Sequence, residues 1–238
     1  MKRLIKLQVR NIFHNKLFYV CLAISLLMSP IILFIMELTS KSIPVTKVLP
    51  GVVDFLSNEV SVVSMIFITL FCTFDFTEGT AKNIVGRGYS VVKLLISKYI
   101  ASLIGLLCMY GITILVFFVL FIKNGMGYEA SVPLIFIYSI FNIIAYTVFY
   151  GTIAFVLEKN SAAIIGNMFI SNIISIVLGI VDTNLHINIS KYWLDNVGLK
   201  FIAKPVLNNI YMPIVVYIIY TVVVFVIGVR IVKVKEIK

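Results

Sequence analysis

The sequence predicts an all-α integral membrane protein of six transmembrane helices, opened by an amphipathic interfacial helix and carrying a short helix on the inner side between spans 2 and 3. Two observations carry that class. The chain is 61% hydrophobic and only 13% charged, where soluble domains hold roughly 25% charged residues, and its mean hydropathy is +1.09. It also holds several charge-free runs long enough to cross a hydrocarbon layer of about 30 Å, which takes roughly 20 helical residues. No internal repeat interrupts 1–238, so a single membrane domain is expected.

Residues 1–16, MKRLIKLQVRNIFHNK, are too charged to span. On a helix, Met1, Ile5, Val9, Ile12 and Phe13 fall toward one face, while Lys2, Arg3, Lys6, Arg10 and Asn11 lie mostly away from it, the pattern of a helix lying along the inner leaflet. Span 1, about 17–36, exceeds the roughly 7 to 15 apolar residues of a signal-peptide core, and no small-x-small cleavage site follows it. Span 2, about 56–76, is the weakest: its apolar run, Val60 to Phe74, reaches full length only with Leu56 and Phe76. Spans 3 to 6 are placed at about 99–122, 132–157, 161–181 and 208–230.

Charge placement supports this count, because cytoplasmic flanks carry the excess of Lys and Arg. With six spans and both termini cytoplasmic, the inner segments hold Lys2, Arg3, Lys6, Arg10, Lys16, Lys82, Arg87, Lys93, Lys98, Lys159, Arg230, Lys233, Lys235 and Lys238. The outer segments keep Lys41, Lys47, Lys123, Lys191, Lys200 and Lys204. Deleting span 2 would strand the basic tail outside. The net charge of +10 is thereby accounted for, and no nucleic-acid partner is expected.

Between spans, packing must hold the helices together, since lipid is as apolar as they are. Ala101 with Gly105, and Ala162 with Gly166, are the expected points of close approach. Asn142, Asn167, Asn172 and Ser175 are expected to hydrogen-bond between helices, with a substrate role as the alternative. Cys21, Cys72 and Cys108 fall inside spans with no CxxC spacing and read as small buried hydrophobes.

Several functions lack their residues. His14 and His186 fall on opposite membrane faces, so no His-based metal cluster is expected, and no carboxylate pair lies within the spans. The five clear spans, the last taken only to Val229, contain no Asp, Glu, Lys, Arg or His, the usual apparatus of ion-coupled transport. No G-x-x-x-x-G-K-[ST] loop is present, so any ATP would be hydrolysed by another chain. Neither enzyme activity nor a cofactor is expected in this chain.

The largest inner loop, FDFTEGTAKNIVGRGYSVVKLLISK from Phe74 to Lys98, concentrates charge and glycine. Thr77 and Thr80 suit a helix start, Asp75 and Glu78 complement its positive end, and Ala81 to Val85 suffices for a short helix. Gly86 and Gly88 permit a turn, and Ser90 can cap the helix that carries Lys93 and Lys98 into span 3. Ile84 and Val85 would stand exposed on so small an element unless a partner or the membrane covered them. The loop reads as a docking handle.

At these residues the chain resembles the ABC-2 family of ABC transporter permeases, notably small bacterial members linked to lantibiotic and peptide export or self-immunity. The resemblance rests on Glu78-Gly79-Thr80, Lys82-Asn83, Gly88-Tyr89-Ser90 and Ser97-Lys98, and extends to LEKNSAAIIGN from Leu157 to Asn167 and to the closing VKVKEIK from Val232 to Lys238. A basic residue often follows the Gly-x-Ser turn in that family; here Val91 follows it and Arg87 precedes it. The resemblance implies a permease in a bacterial cytoplasmic membrane, paired with a second copy or a sister permease. Each permease would bind a separate ATP-binding subunit, which carries the ATP and magnesium, and the cargo would be an amphipathic, peptide-like substrate. It makes the short inner helix a coupling helix, with Glu78, Gly79, Thr80, Lys82, Asn83, Ile84, Val85, Gly88, Ser90 and Lys98 as the candidate coupling residues. The alternative is a non-transporting membrane scaffold or immunity protein that binds a peptide or partner.

The segment from Asp182 to Asn209 mixes Tyr192, Trp193, Leu199 and Phe201 with lysines, as expected of an outer interface. It is expected to dip into the outer leaflet, as an interfacial anchor or a cargo exit.

Overall fold

The computed structural model describes residues 1–40, 62–123, 132–186, 188–194, 197 and 211–234. Among them every element is helical: α1 Lys2–His14, α2 Lys16–Ser40, α3 Val62–Thr77, α4 Thr80–Gly86, α5 Val91–Lys123, α6 Val132–Leu157, α7 Asn160–Leu185, a 3-10 turn Ser190–Tyr192, and α8 Tyr211–Val234. Four stretches are long and apolar enough to cross a membrane, Val91–Val116, Ser139–Leu157, Asn160–Leu185 and Met212–Val234. The bent pair α3 and α4 brings the number to five if it is one broken span, and α2 contributes a shorter apolar stretch, Lys16–Leu27. The chain is therefore a helical protein with several long apolar helices, compatible with a multi-pass membrane protein.

The helix that carries span 3 starts at Val91, where Ser90 is expected to cap it: the Ser90 hydroxyl accepts the Lys93 N–H at 3.3 Å. The first two turns of the helix then carry Lys93 outward and Lys98 inward.

Helix α6 is the most enclosed span and α7 the least. Helix α6 packs extensively against α8, and α5 meets α1, α2 and α6. Both expected points of close approach are present. A methyl at Gly105 would lie 3.1 Å from Phe67 Cζ and 3.3 Å from Ile12 Cγ2, and one at Gly166 would lie 2.6 Å from Leu157 Cδ1. Two further contacts of this kind are tighter than composition suggests. At Gly151 the added carbon would meet Tyr99 Cε1 at 2.7 Å, and at Gly228 it would meet Thr152 at 3.0 Å. These glycines let α5, α6 and α8 converge around the Tyr99 hydroxyl, which is 2.6 Å from Thr152 Oγ1.

The N-terminal helix forms as expected, and its buried face overlaps the expected one in part, with Ile12 buried and Ile5 and Val9 half-buried. Leu4, Gln8 and Ile12 are buried, one turn apart, whereas Met1 and Phe13 remain exposed. It lies on α5 of its own chain. Asn15 then turns the chain into α2, its side-chain oxygen accepting the Leu17 N–H at 2.9 Å.

Candidate functional site

Four elements meet around one carboxylate. Asp75, in the last turn of α3, lies with its Oδ2 3.0 Å from Lys98 Nζ of α5, and both side chains are almost wholly buried. Gln8 of α1 donates its amide N–H to the same oxygen at 2.8 Å. Thr80, the first residue of α4, donates its hydroxyl to Asp75 Oδ1 at 3.0 Å. The Lys98 ammonium also donates to the Phe71 carbonyl at 2.9 Å and lies 4.1 Å from the Phe71 ring centre. A buried ion pair persists only when such additional hydrogen bonds satisfy it. The carboxylate is thus fully engaged in joining α1, α3, α4 and α5.

This cluster changes the reading of Lys98, which is expected on an exposed coupling loop. It is fully buried and serves the interior. The signal that could have found it is Asp75 itself: opposite charges near the end of α3 and the start of α5, with only the short α4 between them, are natural partners, and treating both as loop residues hides the pairing.

Helix α4 leaves α3 at 67°. The break falls at Gly79, whose φ of +67° lies in the left-handed region that residues with a Cβ rarely adopt. Neither threonine caps α4 as expected: Thr77 donates back to the Phe74 carbonyl at 3.0 Å, and Thr80 is taken by Asp75. After α4 the chain turns through Gly88, at φ +85°. The expected helix of 81–85 is present and one residue longer at each end.

The two faces of α4 differ. Ala81 is buried and Ile84 packs on a cluster of Leu94, Leu95, Tyr99, Phe155 and Val232, so Ile84 faces the chain's own core and not a vacant surface. Val85 is half-buried. The expectation of an exposed Ile84–Val85 pair is corrected at Ile84, because an amphipathic turn beside an apolar helix bundle buries its aliphatic side first, while Val85 stays partly exposed. Outward lie Glu78, Gly79, Lys82, Asn83, Gly86, Arg87, Gly88 and Ser90. The loop therefore presents a polar, largely basic surface on an apolar footing.

Polar contacts continue along α3 and α7. Thr73 Oγ1 lies 2.5 Å from Asn160 Oδ1, and Asn167 donates to Thr69 Oγ1 at 2.7 Å and to the Tyr150 carbonyl at 3.3 Å. Asn167 thus hydrogen-bonds between helices as expected. Asn172 instead bonds the Met168 carbonyl of its own helix at 2.7 Å and stays exposed. Of the three cysteines, Cys21 and Cys72 are buried and Cys108 is exposed.

No family model matches the chain, and no curated protein or solved structure matches it. What it can do must be read from its own residues. Among the described residues no group of three or more His, Cys, Asp or Glu is placed to hold a metal. The cluster around Asp75 is built to hold helices in place.

At the other predicted site, Tyr192 and Trp193 part company. Tyr192 is exposed, with Lys191 Nζ 4.7 Å from its ring centre. Trp193 is buried with its ring 5.9 Å from Phe149 of α6 and 5.9 Å from Tyr220 of α8. Asp182 fixes this return by accepting the Ile189 and Ser190 backbone N–H groups at 2.6 and 3.0 Å. Residues 188–194 thus fold back onto the bundle, where Trp193 packs between α6 and α8 and is covered by protein. Leu199 and Phe201 lie outside the described residues.

Proposed function

We propose that this chain is the membrane-spanning permease subunit of an ATP-driven ABC exporter, with six spans and both termini cytoplasmic. It moves an amphipathic, peptide-like substrate out of the cell or out of the membrane of a bacterium. The observation that carries the reading is α4: a seven-residue helix broken from α3, anchored inward by Thr80, Ala81 and Ile84, and polar outward at Lys82, Asn83 and Arg87. A lever needs such a fixed footing, because a force applied to its outer face moves the spans only if α4 cannot slide on them.

On this reading an ATP-binding subunit rests on the outward face of α4, and a second permease or a sister permease completes the transporter. ATP binding drives the spans only to the extent that it favours one arrangement over the other. Because Asp75 joins α4 to α1, α3 and α5, displacement of α4 reaches three helices at once.

The test is co-purification of the full chain with a Walker-type ATP-binding protein and ATP hydrolysis by the reconstituted complex. Lys82→Glu with Arg87→Glu should abolish retention of that subunit while leaving membrane insertion unchanged. Ile84 is the wrong probe, since substitution there disturbs the chain's own packing. Retention undiminished by the charge reversals would exclude this face as the dock. Absence of any ATP-binding partner would favour the non-transporting scaffold or immunity role.

A further inference from the structure

The outward face of α1 is the most strongly charged surface among the described residues. Lys2, Arg3, Lys6 and Arg10 are all exposed on it, and none is ion-paired with another described residue. Apolar side chains flank the cations: Leu7 is 44% and Phe13 39% exposed. The helix runs through Asn15 directly into α2, which exposes Tyr19, Val20, Ile24 and Leu27 along its first turns. A basic stripe bordered by apolar side chains and continuous with a lipid-facing apolar helix matches the boundary between headgroups and acyl chains. The opposite side of α1 is held by protein, through Leu4, Gln8 and Ile12.

We propose that the outward face of α1 binds the phosphate headgroups of anionic phospholipids, and that its occupancy reaches α4 through Gln8, Asp75 and Thr80. The link is short. Gln8 sits between Leu4 and Ile12 on the buried stripe, and its amide shares one carboxylate with Lys98 and Thr80. A shift of α1 toward the headgroups changes the Gln8 contact and, with it, the acceptor that fixes the start of α4. Charge supplies the selectivity for anionic lipid, since each basic residue near such a surface is worth about fivefold in association and is screened by salt. The proposal rests on the membrane reading of the chain and is independent of whether an ATP-binding subunit docks at α4.

The experiment uses the full chain in vesicles of phosphatidylcholine alone or with increasing phosphatidylglycerol, read by amide hydrogen exchange in α1 and α4. Phosphatidylglycerol should raise protection of both helices, and high salt should reverse it. Lys6→Gln with Arg10→Gln, which leaves Lys2, Arg3 and Lys16 to keep the first segment basic, should move the lipid titration midpoint by about fivefold per charge removed. Lys6→Arg should behave as the wild type. Gln8→Leu should leave the α1 response intact and remove the α4 response. Glycerol phosphate added in solution to phosphatidylcholine vesicles should change neither helix. Protection of α1 indifferent to phosphatidylglycerol would overturn the lipid site, as would an equal response to soluble phosphate. A wild-type response confined to α1, or an α4 response that survives Gln8→Leu, would overturn the link.

Discussion

Lys98 of α5 reaches Asp75 of α3 across the short helix α4 that separates them in the chain, 3.0 Å between ammonium nitrogen and carboxylate oxygen, with neither side chain meaningfully exposed. Lys98 also donates to the Phe71 carbonyl, one helical turn before Asp75. The pair therefore sets how α5 sits against α3, and through Gln8 and Thr80 how α1 and α4 sit against both.

Removing one partner strands the other charge. Lys98→Met and Asp75→Asn, singly, are each expected to destabilise the fold by about 3 to 5 kcal/mol. The double variant should recover a large part of that loss, because neither charge is then left unpaired. Loss of the monodisperse chromatographic peak after graded heating in detergent provides the measurement. Additive single effects in the double variant would show that the two groups do not form a unit.

Asn167 tests the polar contacts between α7, α3 and α6. Asn167→Leu removes hydrogen bonds to Thr69 and Tyr150 and is expected to cost about 1 to 2 kcal/mol, while Asn172→Leu should cost little. Thr69→Val should add little once Asn167 has been replaced, which a double-mutant cycle would read directly.

The glycine contacts predict a graded series. Gly151→Ala places a methyl against the Tyr99 ring and should lower stability by about 1 to 3 kcal/mol. Gly111→Ala and Gly179→Ala meet nothing within 4 Å and should be neutral or mildly stabilising in the same heating assay. A neutral Gly151→Ala would mean that Tyr99 is free to move aside.

The chain has one tryptophan, so its emission reports a single place. Trp193, enclosed by Phe149 and Tyr220, should emit at short wavelength and resist both aqueous and lipid-borne quenchers. Phe149→Ala should shift the emission to the red and open it to quenching. Strong quenching of the unmodified protein by a brominated lipid would return Trp193 to the interface.

How much of this was legible in the sequence follows from what is local. The long apolar helices, the cap at Ser90, the close approach at Gly105 and Gly166 and the bonding of Asn167 all follow from hydropathy, cap chemistry and side-chain size, which are properties of a residue and its immediate neighbours. Which charges pair is not local. Lys98 reads as a loop cation until α3 and α5 lie side by side, and only then does burial with Asp75 become cheaper than exposure. The face of α1 shifts for the same reason: periodicity favours Met1, Ile5, Val9, Ile12 and Phe13, but Gln8 bonds Asp75, so the buried stripe runs through Leu4, Gln8 and Ile12 and leaves Met1 and Phe13 exposed. Ile84 and Trp193 read as surface residues because the sequence names no cover for them, and much of that cover comes from α6 and α8, distant along the chain from Ile84 and, for α6, from Trp193. Composition determined that this chain has the helices of a membrane protein; the packing of those helices decided which of its polar residues face outward and which hold it together.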